Sequence, residues 1–529
     1  MQILLAQGVS KSYGAVVALR AVSLRVSRGD RIGVVGPNGI GKSTFLRILA
    51  GLEPPDEGTV TCAAGAFVGY VPQELALRAG DTLRDCLACQ TGVAQAEQQV
   101  ETLAARLADG PAVADAYTRA LERLTLLGGE AFDARSRTVC RQLGLEAELD
   151  RPVAHASGGH AARIRLAAVL LARFDALLLD EPTNDLDFDG LARLEALVRE
   201  TPSGVVVVSH DRAFLEATTT RILAFEAETG VSSEYDGGYA AFEQQVAGAR
   251  ARAEERHRRW ANEHERFSAL KRDRRDEARA GGSQANRRAT RAAASKVRAA
   301  DRALRNLERD KAEKPWRAWE LKLTLTLDER PGDTLVRLER AVGERGRFRL
   351  GPLELTIGWR ERILLTGPNG TGKSTLLRMV LGELPLAEGT RWVGPRVTIA
   401  SLDQSRSLFA SERPLVELFR DATSLEESDA RTLLGHFNLL EESVLRPARS
   451  LSPGERTRAS LALLQARRAA CLVLDEPTNH LDREGIEQLE AALGDFPGSV
   501  LLVTHDRRMI ERFAATRTLT LARNRLRDR

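Results

Sequence analysis

Short, unbroken apolar runs that end in polar residues recur along this chain. Ala176-Leu-Leu-Leu leads into Asp180-Glu181, and Cys471-Leu-Val-Leu leads into Asp475-Glu476. Val205-Val-Val-Val leads into Ser209-His210, and Val500-Leu-Leu-Val into Thr504-His505. Runs of this length without alternation predict strands buried on both faces, and the helical stretches between them predict a parallel sheet covered by helices. Ligands in such α/β sheets collect at the carboxyl ends of the strands, where these polar residues lie.

The middle of the chain follows a different pattern. Up to about Arg279 it lacks Gly and Pro apart from Gly248, and apolar residues form only a narrow stripe. Trp260, Phe267 and Leu270 are spaced by seven and three, and Val297, Leu304 and Leu307 repeat that spacing beyond Gly281-Gly282-Ser283. This predicts an antiparallel α-helical hairpin with the Gly-Gly reversal at its tip. Some 35 helical residues, roughly, would carry the tip about 50 Å outward.

An internal repeat relates the two ends. Gly36-Pro37-Asn38-Gly39-Ile40-Gly41-Lys42-Ser43-Thr44 returns as Gly367-Pro368-Asn369-Gly370-Thr371-Gly372-Lys373-Ser374-Thr375. Lys42 to Lys373 and Gln73 to Gln404 are both 331 residues apart, whereas Ser157 to Ser452, Glu181 to Glu476 and His210 to His505 are each 295 apart. The first half therefore carries an insertion of 36 residues between Gln73 and Ser157. Repetition on this scale organises the whole fold.

The repeated residues form a phosphate site. A Gly-x-x-x-x-Gly-Lys-Ser loop opening a helix wraps backbone amides around phosphates, with Lys42 or Lys373 on the β/γ oxygens and Ser43 or Ser374 on Mg²⁺. Asp180 and Asp475, closing apolar strands, are placed to hold Mg²⁺. Glu181 and Glu476 follow them and are expected to orient and deprotonate the attacking water. His210 and His505 are expected to sense the γ-phosphate, with Gln73 and Gln404 completing each site and the Mg²⁺ shell.

Charge sharpens the picture. The net charge of the 529 residues is +4, yet residues 250–317 hold 22 Lys/Arg against 11 Asp/Glu, so the remainder is negative. A stiff basic rod suits phosphate backbones. No run is long and apolar enough to span a bilayer, and the first residues show no basic region followed by a long apolar one, so neither a membrane span nor a secretory signal is expected. The five cysteines (62, 86, 89, 140 and 471) are scattered, as reduced cytosolic thiols would be. Cys86-Leu-Ala-Cys89 lacks the second pair or nearby His that a metal site needs.

Together these motifs resemble the ATP-binding cassette superfamily over essentially both halves, which implies two P-loop NTPase domains in tandem. The resemblance adds a signature loop that contacts the ATP held by the opposite cassette. The loops here read Ala156-Ser157-Gly158-Gly159-His160 and Leu451-Ser452-Pro453-Gly454-Glu455. It implies nucleotide contacts from Ser157, Gly158, Gly159, Ser452, Gly454 and Glu455, with ATP at Lys42 facing Ser452 and ATP at Lys373 facing Ser157. His160 and Pro453 depart from the usual Leu-Ser-Gly-Gly-Gln/Glu, so unequal sites are expected. The adenine-stacking aromatic of the family falls on Tyr13; in the second half the matching place is read as Val342, with Phe348 the nearest aromatic.

Within the superfamily the chain looks like the F subfamily of fused, membrane-free cassettes that act on ribosomes. Asp-Glu-Pro-Thr-Asn is followed by Asp185-Leu-Asp187 or His480-Leu-Asp482, a basic hairpin joins the halves, and Lys314-Pro-Trp316-Arg-Ala-Trp319 resembles the return into the second cassette. The expected organisation is a first cassette at 1–240 with a helical arm at about 91–130, a hairpin linker at 241–318 and a second cassette at 319–529. The resemblance implies an ATP- and Mg²⁺-dependent ATPase, cytoplasmic and monomeric, whose two cassettes dimerise intramolecularly. It also implies that the nucleotide-bound form enters the ribosomal exit-tRNA site and that the hairpin reaches rRNA and tRNA, in a translation factor or an antibiotic-resistance protein. The rival reading is the ATPase subunit of a membrane transporter with a separate permease, which would need no projecting basic hairpin.

Overall fold

The computed structural model describes the chain except residues 15, 74–79, 154–157, 227–230, 281–297, 300, 310–331, 347, 403–408, 410, 479–480, 482, 523 and 529. It divides into two compact units, one of Met1–Tyr239 with Glu320–Arg529 and one of Ala240–Trp319.

The larger unit contains the same architecture twice. In each half a six-stranded sheet carries the apolar runs. Its order in the first half is Val68–Val71, Ala176–Asp180, Gly204–Val208, Arg31–Val35, Arg221–Phe225, Ser232–Asp236. In the second it is Ile399–Leu402, Cys471–Asp475, Ser499–Val503, Arg362–Thr366, Arg517–Ala522, Arg525–Asp528. All neighbours are parallel except the last pair in each sheet. Each half also has a three-stranded antiparallel sheet, Val16–Ser27 with Gln2–Tyr13 and Glu57–Cys62, or Phe348–Gly358 with Thr334–Arg345 and Leu386–Val393.

Register aligns the strand ends. Val34 pairs with Val208, and Val208 with Asp180, so the glycine loop, the Ser209-His210 pair and Asp180-Glu181 leave the sheet at one edge. The helix after the loop, Lys42–Leu49, is anchored by Phe45, Leu46, Ile48 and Leu49, all buried. Phe45 meets Phe225 edge to face, centroids 5.9 Å apart. Truncating such a ring to Ala costs about 3–5 kcal/mol, so the phosphate loop stands on a rigid base. The segment inserted in the first half contains the helices Val93–Ala104 and Pro111–Leu126.

In the smaller unit the helix Gly238–Ala280 accounts for most of the described residues, with a second helical piece at 301–309. Trp260 Nε1 donates to the Leu307 carbonyl at 2.8 Å, so the two run side by side there, and Leu304 is buried. His257 and His264 stack on the Trp260 ring, centroids 5.8 and 5.2 Å away. Leu270, placed in the expected stripe, is 40% exposed instead. Val297, the Gly281-Gly282-Ser283 reversal and the Lys314–Trp319 segment lie outside the described residues.

Candidate functional site

Both glycine loops adopt backbone that only glycine enters readily. Gly41 and Gly372, with φ of 99° and 101°, precede the two helices as their N-caps. A Cβ on Gly41 would sit 2.5 Å from the Ala18 carbonyl, and one on Gly367 2.3 Å from that of Leu521. Each lysine folds over its own loop. Lys42 Nζ donates to the carbonyls of Gly36 and Pro37 at 2.8 and 2.9 Å, and Lys373 Nζ to that of Gly367 at 2.6 Å.

The next residue on each helix reaches the acidic strand end. Ser43 Oγ donates to Asp180 Oδ1 at 3.1 Å, and Ser374 Oγ to Asp475 Oδ2 at 2.7 Å. A hydroxyl and a carboxylate side by side next to a phosphate loop are hard oxygen donors that fit Mg²⁺, which takes one or two protein ligands and fills its octahedron with phosphate and water.

Glu181 and Glu476 hold strained backbone, φ 48° and 44°, unusual for residues with a Cβ. Their amides donate to Val208 O and Val503 O of the neighbouring strand, each at 2.9 Å, which pins that conformation. Their carboxylates accept the amides of His210 and His505, both at 3.3 Å, and the His210 ring lies 3.2 Å from Glu181 Oε1. Burial pushes both glutamates above the usual carboxylate range, and the neighbouring aspartates add to this against the opposing charge of Lys42 or Lys373. His505 Nε2 stands 3.3 Å from Lys373 Nζ; burial and that positive charge push the imidazole down to about 4, so it is neutral.

The two halves meet at these sites. A cavity of about 350 Å³ is lined by Tyr13, Asn38, Gly39, Lys42, Ser43, Gln73, Asp180, Glu181 and His210 of the first half and by Ser452 and Gly454 of the second. That is room for a nucleotide between one phosphate loop and the opposite signature. On the other side, the Asn369 amide donates to Asp187 Oδ2 at 3.0 Å and Asn369 Nδ2 to the Asp185 carbonyl at 2.6 Å. Phe188 meets the His505 ring edge on, centroids 5.1 Å apart. Arg507 reaches Glu195 at 2.7 Å.

A family profile described as ABC transporter matches residues 19–184 and 350–479. The chain belongs to the ATP-binding cassette family. It is 36% identical to the tylosin resistance ATP-binding protein TlrC of Streptomyces fradiae, over 96% of this chain and 95% of that one. It is 33% identical to the putative ATP-binding protein YdiF of Bacillus subtilis (99% and 80%) and 30% identical to ABC transporter F family member 2 of Arabidopsis thaliana (96% and 74%). These relatives make it an F-type tandem cassette, with the family's ATP hydrolysis as its activity. Among solved structures, an archaeal ribosome recycling factor, aABCE1, crystallised with the ribosomal stalk protein aP1, shares the fold at 23% identity, TM-score 0.57, over 97% of this chain and 87% of that one.

Several residues sit differently from the reading of the sequence. Glu455 turns away from the cavity: its carboxylate accepts the Ser452 amide at 2.8 Å in a capping box and bonds Ser443 and Arg446. Val342 is buried in the core. Tyr13 pairs with Val16 across the hairpin turn, and Arg345 pairs with Phe348 in the same way, so Arg345, not Val342, occupies the place of Tyr13. Ser157 and Gln404 lie outside the described residues, while Gly158 and Gly159 begin the helix Gly158–Leu171.

Three further residues take part in the site without a motif role. Buried Arg165 donates to the carbonyls of Gln73 and Asn184, tying two site loops together. Tyr70 donates to Asp180. Asp187, within the Asp185-Leu-Asp187 stretch, bridges the cassettes through the Asn369 amide.

Proposed function

We propose that the protein uses Mg²⁺-dependent ATP hydrolysis at two composite sites to act on the ribosome, entering the exit-tRNA site as a translation factor or as protection against a ribosome-targeting antibiotic. The cavity joining Lys42 and Glu181 of one cassette to Ser452 and Gly454 of the other carries the catalytic half of this reading. A nucleotide there bridges both cassettes, so binding and hydrolysis close and release them. The loops Gly36–Thr44 and Gly367–Thr375 bind the phosphates through backbone amides and lysines. Ser43, Asp180 and Gln73, and Ser374, Asp475 and Gln404, would hold Mg²⁺, which neutralises phosphate charge. Glu181 and Glu476 accept the proton of the attacking water; burial makes them stronger bases than ordinary carboxylates. His210 and His505, against those carboxylates, register the γ-phosphate. Tyr13, half exposed at the cavity, stacks on adenine. Ser157, Gly158 and Gly159 close the second site.

The ribosomal half rests on the basic segment 250–317, which binds rRNA and tRNA backbones, and on relatives whose names state tylosin resistance or ribosome recycling. Among the described residues no helix is long and apolar enough to cross a membrane. We place the cassettes at 1–240 and 319–529 and the linker at 241–318, in a cytoplasmic monomer. Purified ribosomes should stimulate ATP turnover, and a deletion strain should show altered growth in peptidyl-transferase or exit-tunnel antibiotics or a translation defect without drug. Turnover indifferent to ribosomes but stimulated by a reconstituted permease would transfer the protein to the transporter ATPases.

A further inference from the structure

The second oxygen of Asp180 is held by an aromatic hydroxyl. Tyr70, on the strand Val68–Val71, donates to Asp180 Oδ2 at 3.0 Å while Ser43 donates to Oδ1 at 3.1 Å. Asp180 is only 2% exposed, so these two bonds fix how the carboxylate faces the phosphate loop. Around them the first cassette builds a polar chain. Arg47 donates to Thr44 Oγ1 at 3.1 Å and to Glu53 Oε2 at 3.1 Å, and Glu53 Oε1 accepts the Tyr13 hydroxyl.

Among the described residues of the second cassette, the matching positions are filled differently. At the constant offset of 331, Arg378 matches Arg47 and Thr375 matches Thr44, but Leu384 stands for Glu53 and Ser401 for Tyr70, and Arg345 takes the hairpin place of Tyr13. A serine hydroxyl sits on Cβ and cannot span the distance that the tyrosine ring spans. The difference is chemical, and it is confined to one site.

We propose that Tyr70 is a positioning residue of the first ATP site, which fixes Asp180 so that one oxygen alone is presented with Ser43 to the nucleotide-bound cation. This rests on the reading of Asp180 as a Mg²⁺ carboxylate. The consequence is an asymmetry in which residue holds the carboxylate, independent of the signature loops: a tyrosine hydroxyl does so at the first site, and Ser401, at the matching position, does not at the second.

The test is Mn²⁺ binding, followed by electron paramagnetic resonance in the full-length protein with saturating ATP. The background carries Glu181→Gln and Glu476→Gln to stop turnover and Lys373→Ala to leave the first site alone. Tyr70→Phe keeps the ring and removes only the hydroxyl, so it should weaken Mn²⁺ binding about tenfold, the low end of what a hydrogen bond to a charged group is worth. ATP affinity in EDTA should not change. In the converse background, with Lys42→Ala in place of Lys373→Ala, Ser401→Ala should leave Mn²⁺ binding as it was. Unchanged Mn²⁺ affinity in Tyr70→Phe overturns the proposal, and so does an equal loss of ATP affinity in EDTA, because a merely structural tyrosine would give that. Asp180→Asn separates the two layers. If it also leaves Mn²⁺ binding intact, the reading of Asp180 fails; if it weakens binding while Tyr70→Phe does not, only the role of Tyr70 falls.

Discussion

Asp187 is the residue through which the two cassettes should feel each other most directly. Its Oδ1 accepts the Gly190 amide at 3.0 Å and caps the helix Phe188–Glu200, while its Oδ2 accepts the Asn369 amide of the opposite phosphate loop at 3.0 Å. Burial opposes its charge, but these two amides, with His505 and Lys373 nearby, hold it below the usual aspartate range. Replacing it with Ala removes both bonds, and their costs fall in different places. The cap belongs to the first cassette in any conformation and is worth about 1 kcal/mol of stability. The bond to Asn369 exists only while the cassettes are closed, and a hydrogen bond to a charged group is worth about 1.5–3 kcal/mol. The closed state should therefore lose about 10- to 150-fold in population relative to the open one. Asp187→Asn keeps an acceptor for the cap but loses the charge, and should cost closure about fivefold, since a neutral bond is roughly half as strong. Fluorescence transfer between dyes on the two cassettes, titrated with ATP in the Glu181→Gln, Glu476→Gln background, measures closure. Thermal unfolding measures the cap. An Asp187→Ala protein that melts earlier but closes at the same ATP concentration would show that the contact to Asn369 carries no coupling.

Three further outcomes follow from the same geometry. Glu181→Gln combined with Glu476→Gln should lower steady-state turnover at least about 100-fold while ATP still binds, because the proton acceptor is lost and the phosphate cradle is kept; near-normal phosphate release would remove both glutamates from the chemistry. Because burial raises both carboxyls, kcat/KM should rise with pH through a midpoint above the ordinary carboxylate range: the protonated acid present below that midpoint cannot accept a proton. A profile flat between about pH 5 and about pH 9 would contradict this. Tyr13→Ala should weaken ATP at the first site by about 1–3 kcal/mol, as loss of one base-stacking ring does, whereas Arg345→Ala should not; equal effects measured by fluorescent-nucleotide binding would refute the assignment.

The fold was legible because its chemistry is local. Phosphate cradling demands glycines at fixed spacing before a helix, and doubly covered strands demand unbroken apolar runs, so Gly36–Thr44 and Ala176–Asp180 announce themselves and then repeat at constant offset. What the sequence hid depends on side-chain direction and hairpin register. Glu455 belongs to the signature loop, yet a helix N-terminus beginning at Ser452 offers it a capping box, and that local bond wins over the cavity. Spacing alone, 23 residues before Gly367 as Tyr13 lies before Gly36, ends at Glu344, and the hairpin turn at Gly346 puts Arg345, not Val342, in the place of Tyr13. Tyr70 and Arg165 carry no motif; only the folded sheet brings Tyr70 to Asp180, and only the packing of the helix Gly158–Leu171 brings Arg165 to Gln73.

Ribosome binding through the basic segment 250–317 is the decisive measurement. Arg272, Arg274, Arg275, Arg287, Arg288 and Arg291 changed together to Gln remove six positive charges with little change in helix propensity. The Glu181→Gln, Glu476→Gln protein, held closed by ATP, should pellet with ribosomes through a sucrose cushion, and the six-arginine variant of it should pellet more weakly and with a shallower dependence on salt, because each lost phosphate contact releases fewer counterions. Basal ATPase of the same six substitutions in an otherwise unchanged chain should persist. If the variant pellets as well as its parent at every salt concentration, the segment 250–317 is not the element that meets RNA, and the ribosomal reading loses its main support.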